Sequence, residues 1–229
     1  MEKSQYNLCI EILRRFHRTG LLNDFILIGS WAMVFYKQEF KNWPRLKRFV
    51  LRTRDLDFLV DSVHKIKQEV SIPDMLDDLG FRVTFHGSQG YMKLIHPDLI
   101  FEFLTPERGR GIDKPVKLSA VGINATALRF LNFLSQDTIK VQVENFKVIL
   151  PQPARFALHK LIISQRRKNK DKAQKDNMMA LEILNDLIEV GEKEAIRLAY
   201  DNLHRQWQKR VVAGLKFLKQ EAILSEFHR

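Results

Sequence analysis

The feature that most constrains this chain is a change of hydrophobic period at Pro151 and Pro153. Before these prolines, short apolar runs alternate with turn residues; after them, apolar residues recur only at helical spacing. Such a pattern predicts an α+β fold, in which a mixed twisted sheet flanked by helices is followed by a C-terminal helical region. The expected domains are residues 1–150 and 151–229. A length of 229 residues suits one large domain or a main domain with a smaller one, and 45% hydrophobic residues is ample for a core.

Along the first part, Tyr6, Cys9, Ile10, Leu13 and Phe16 form a helical stripe that Thr19-Gly20 stops. The apolar run 25–28 ends at Gly29-Ser30, and 31–36 resumes a helical pattern, which reads as strand, tight turn, helix. Residues 37–54 hold seven Lys or Arg against one acid, Glu39, and Trp43-Pro44 marks them as an irregular basic loop. An alternating strand at 55–60 follows, then a helix near 72–79 ended by Gly80. Strands are expected at 81–85, 91–95 and 99–104. The less regular stretch 105–150 carries two more, near 139–143 and 146–149.

Three places hold residue types suited to phosphate and metal chemistry. In Asp55-Leu56-Asp57-Phe58-Leu59-Val60, strand alternation puts Asp55, Asp57 and Leu59 on one face and Leu56, Phe58 and Val60 on the core face. Two adjacent carboxylates need a cation, which makes them a candidate magnesium ligand set. The alternative is a strand end whose acids pair with Arg52 or Arg54. Gly29-Ser30, opening a helix after a strand, presents backbone N–H groups suited to phosphate, although Gly-Ser is also a common turn. Glu102 is a lone acid in the apolar Phe101-Glu102-Phe103-Leu104. Beside the Asp55–Asp57 strand it would complete a three-carboxylate site; otherwise it pairs with a nearby Arg or Lys at a sheet end.

The order Ile28-Gly29-Ser30-Trp31-Ala32, then Arg52-Thr53-Arg54-Asp55-Leu56-Asp57-Phe58, then Glu102 resembles the polymerase-beta-type nucleotidyltransferase superfamily. Within it, the likeness is to small bacterial proteins that include abortive-infection and type IV toxin nucleotidyltransferases, over roughly residues 25–185. The resemblance implies that Gly29 and Ser30 bind triphosphate. It implies that Asp55, Asp57 and Glu102 are catalytic and hold Mg2+ or Mn2+, with Glu102 helping to deprotonate an acceptor hydroxyl. It also implies that Lys160 and Asp176, on the later helices, face the nucleotide. Two departures are visible: the interval from Gly29 to Asp55 is long, and the third acid is Glu where Asp is commoner.

On the helix near Ala154, Leu158, Leu161, Ile162 and Gln165 are expected on a core side, and Lys160, Ser164 and Arg167 on another face. Residues 155–175 hold eight Lys or Arg and one acid, Asp171, and the whole chain carries a net charge of +11. This balance favours a polyanion such as RNA, the end of a transfer RNA included, and disfavours a cationic drug as acceptor. A cognate antitoxin protein is a further partner that the resemblance implies. The competing expectation is an inactive module of the same fold that binds nucleic acid or a partner protein. Cys9 is the sole cysteine, so no disulfide forms within one chain. The charged residues Glu2, Lys3 and Glu11 break the first apolar stretch, and no run reaches the roughly 20 apolar residues of a membrane span. A cytoplasmic protein without a membrane partner is therefore expected.

Overall fold

The computed structural model describes residues 3–48, 53–62, 66–109 and 114–227. Contacts divide the chain into two units: 1–35 with 50–151, and 36–49 with 152–229. Among the described residues no helix is long and apolar enough to cross a membrane.

The first unit begins with α1 (Lys3–Arg18), whose buried stripe is Cys9, Ile10, Ile12, Leu13 and Phe16. The strand β1 (Phe25–Ile28) is buried at every position, as befits the interior of a sheet. At Gly29 the chain turns directly into α2 (Gly29–Glu39), and the helix α3 (Pro44–Arg48) follows. The division between the units falls after Phe35, within α2. The first unit resumes with β2 (Asp55–Val60), α4 (Ile72–Asp77), β3 (Arg82–His86), β4 (Tyr91–Ile95) and β5 (Ile100–Pro106). It is completed by β6 (Val116–Leu118), β7 (Ile123–Leu128), α5 (Asn132–Ser135), β8 (Thr138–Val143) and β9 (Phe146–Pro151).

These strands form a sheet in the order β3-β4-β5-β2-β1-β9-β8, with β7 joined to β5 and β6 to β7. It is mixed: β2 runs antiparallel to β1 and parallel to β5, and β4 runs antiparallel to β5. On one face an aromatic cluster seats α1. Phe16 lies 5.5 Å from Phe25, 5.6 Å from Phe58 and 5.7 Å from Phe101 between ring centroids, at tilted or edge geometry. On the other face Ile26, Ile28, Leu59, Leu131 and Leu134 form a second cluster, joined by Leu104 and Ile149. This second cluster covers only the inner end of the face. Along β2, Asp55 is exposed, Asp57 is half-buried and Leu59 is fully covered.

The second unit joins α3 to α6 (Pro153–Ser164), α7 (Lys170–Glu189), α8 (Lys193–Asp201), α9 (Arg205–Phe217) and α10 (Glu221–Ser225). The segment 37–54, expected to be irregular, therefore holds a helix. Pro44 at its first position has no N–H to satisfy. The buried carboxylate of Asp186 on α7 accepts the next two, from Arg45 N at 2.9 Å and Leu46 N at 2.7 Å. Sequence reading also missed β6 and β7, which are short; β7 does alternate, but two of its apolar members are the small Ala125 and Ala127, which carry little strand signal.

Candidate active site

The register of the sheet assembles the acids. Ile28, the last residue of β1, pairs with Asp57, and Asp57 pairs with Glu102 on β5. Directly paired residues share a face, and neighbouring strands lie about 4.8 Å apart. Asp55, Asp57 and Glu102 therefore project from the same side, at the end of the face that the apolar cluster leaves open. Asp57 and Glu102 are immediate neighbours.

The turn into α2 adjoins the same carboxylate. Gly29 has φ +67°, and a Cβ built on it would overlap the Asp57 carboxylate and come within 3.2 Å of its Cγ. Only glycine accepts both the backbone conformation and the close approach. Ser30 is buried in the first turn of α2. The first N–H groups of a helix lack intrahelical acceptors, so this end of α2 offers donors and a positive dipole end beside Asp57. The first unit thus brings together Gly29, Ser30, Asp55, Asp57 and Glu102.

Glu102 has a cationic partner: Lys93 of β4 makes an ion pair with its Oε1, and both side chains are partly buried. This is the alternative in which Glu102 meets a nearby basic residue, and it coexists with the carboxylate row. Lys93 escaped the sequence reading. Its signal was a single cation in the apolar strand Tyr91-Met92-Lys93-Leu94-Ile95, legible only once the β4–β5 register is known. Arg54 does not bond the acids; its guanidinium donates to the His96 carbonyl at 3.1 Å. Arg52 lies outside the described residues.

Lys160 and Asp176 lie together in the second unit. The expectation of Lys160 on a polar helix face is overturned: α6 is buried on nearly all sides, and Lys160 and Ser164 are buried with it. The ammonium survives there because it donates to Asp176 Oδ1 at 2.8 Å, while Arg167 Nε donates to Oδ2 at 2.8 Å. Burial by itself would raise the Asp176 carboxyl, but Lys160 and Arg167 outweigh it and hold the group below its ordinary range. Next to this pair, both ring nitrogens of His159 are buried without a hydrogen-bond partner. Burial first, then the Lys160 charge, push its pKa down to about 3, so the imidazole is neutral.

Residues 7–205 match the model of a nucleotidyltransferase family. The chain belongs to that family. As a nucleotidyltransferase it is an enzyme that moves a nucleoside monophosphate from a nucleoside triphosphate. No curated protein matches it. Among solved structures, an antigenic nucleotidyltransferase-like protein from Paracoccidioides brasiliensis is 12% identical, with TM-score 0.51, covering 96% of this chain and 91% of that one. That likeness is one of fold. The solution structure of the antibiotic-resistance factor ANT(2'')-Ia is 14% identical, covering 100% and 98%, with TM-score 0.48. The crystal structure of ANT(2'')-Ia with adenylyl-2''-tobramycin is 13% identical, covering 86% and 95%, with TM-score 0.47.

The residues of this nucleotidyltransferase fit a hard divalent cation. Asp55 and Asp57 supply oxygen donors two residues apart on one strand face, and the missing side chain at Gly29 lets the Asp57 carboxylate lie against the start of α2. Among the described residues no three His, Cys, Asp or Glu side chains already converge as a metal cage. Glu102, the third acid of the row, is engaged by Lys93 of β4.

Proposed function

We propose that this nucleotidyltransferase uses Mg2+, held by Asp55 and Asp57, to transfer a nucleoside monophosphate to a hydroxyl of RNA, the end of a transfer RNA being the leading acceptor. The observation that carries the site is the pairing of Asp57 with both Ile28 and Glu102, with Gly29 packed against the Asp57 carboxylate. When bound, the divalent ion neutralises phosphate charge and makes the acceptor hydroxyl more acidic.

In this reading Gly29 and Ser30 grip the triphosphate through backbone N–H groups and the serine hydroxyl. Asp57 or Glu102 accepts the proton of the attacking hydroxyl, whose oxygen bonds to the α-phosphorus as the bond to pyrophosphate breaks. Lys160 and Asp176, joined by their hydrogen bond within the second unit, are the further residues that this reading assigns to the nucleotide. RNA as acceptor is supported by the net charge of +11 and by the exposed Lys168, Lys170 and Lys172 where α7 begins. The same charge disfavours a cationic acceptor. The toxin-like subtype, with a cognate antitoxin as protein partner, is proposed on that charge alone.

The test is incubation with labelled nucleoside triphosphates, Mg2+ and total RNA. Wild type should label RNA, and Asp55→Ala and Asp57→Ala should fall to background. Equal labelling by all three would remove both acids from the mechanism. A second reading, a binding module that has lost its chemistry, draws on the capture of Glu102 by Lys93. It predicts salt-sensitive RNA binding that survives removal of all three acids, with no triphosphate turned over.

A further inference from the structure

Across β2, β5, β4 and β3 the register places Asp57, Glu102, Lys93 and Thr84 in one row on one face of the sheet. Row spacing is that of the sheet, about 4.8 Å per strand, so Lys93 stands one strand beyond Glu102 and two beyond Asp57. The ammonium is bonded to Glu102 Oε1, and the pair is sheltered enough for the attraction to escape full screening. A divalent ion bridging Asp57 and Glu102 would have to share the Glu102 carboxylate with the Lys93 ammonium, and would lie beside a fixed positive charge.

We infer that Lys93 is a built-in substitute for a second metal ion: it neutralises Glu102 from β4, so that the carboxylate row takes one divalent cation, on Asp55 and Asp57, and not two. The inference rests on the reading that these acids hold a metal. Lys93 is then a positioning residue, which keeps Glu102 outside the metal's ligand set and on the side of the row facing β4. Removing the ammonium while keeping the length of the side chain should free Glu102 to join Asp57 around a second ion. Ions sharing carboxylates in this way stand about 3.5 to 4 Å apart, close enough for their unpaired electrons to couple.

The probe is Mn2+ alone, counted per chain by the paramagnetic resonance signal of the free ion, with the bound ions examined for exchange coupling at low temperature. Wild type should bind one Mn2+ with an uncoupled spectrum, and Asp57→Ala should bind none. Lys93→Met should bind two with a coupled spectrum, and adding Glu102→Gln to it should return the count to one. Glu102→Gln alone, with Lys93 intact, should still bind one. Two ions in wild type, one in a folded Lys93→Met, or loss of the single ion in Glu102→Gln would each overturn the inference. Should Lys93→Met fail to fold by circular dichroism, the wild-type count and Glu102→Gln decide the matter. No Mn2+ bound by wild type would defeat the metal site itself, and the role of Lys93 with it.

Discussion

At the scale of single residues, Gly29 bears the most direct constraint. Alanine there must adopt φ +67° and push its methyl into the Asp57 carboxylate. The backbone penalty alone is about 1–2 kcal/mol, and displacing Asp57 should lower turnover by roughly 10²-fold. Steady-state kinetics of Gly29→Ala beside its urea midpoint will separate the two effects. His159 makes a different prediction. Its folded pKa of about 3 lies below the unfolded value of about 6.5, so between these pH values the unfolded chain binds more protons. Stability therefore falls as the pH drops below the unfolded value, by about 2 kcal/mol between pH 7 and pH 5. The depressed carboxyl of Asp176 acts only below its own ordinary range, so it leaves that window to the histidine. Urea midpoints at the two pH values should differ less for His159→Leu than for wild type.

At the scale of elements, local rules made much of the first unit legible. The apolar run of β1, the Gly29-Ser30 turn, the start of α2 and the alternation of β2 each follow from adjacent residues, and so were readable without any partner. What escaped depends on pairings between distant parts of the chain. Lys93 acquires meaning only through the β4–β5 register. The burial of Lys160 depends on Asp176, brought to it by the packing of α7 on α6. The helix α3 is pinned by Asp186, far along the sequence. Asp186→Ala should leave two buried or partly buried N–H groups without acceptors and cost about 1–2 kcal/mol. Native-state hydrogen exchange should show the amides of Arg45 and Leu46 losing protection first.

At the scale of the whole molecule, charge is the property to test. If RNA docks on the exposed cations that open α7, replacing Lys168, Lys170 and Lys172 with Gln should flatten the dependence of log affinity on log salt. The slope should fall by up to about 2, at roughly 0.7 for each single-strand phosphate that no longer meets a lysine. Fluorescence anisotropy with an RNA oligomer over a salt series measures this directly, and an unchanged slope would place the RNA elsewhere. The division of the chain carries a consequence of its own. Gly29 and Asp55 both serve the first unit, yet residues 36–49 between them belong to the second. Neither unit is one continuous peptide. A cut at Pro151 would strand Tyr36, Trp43 and Leu46, all buried, away from the helices they pack with. The polypeptide leaves the sheet and returns to it between its two central strands, so the enzyme cannot be divided into a detachable catalytic half and an optional tail.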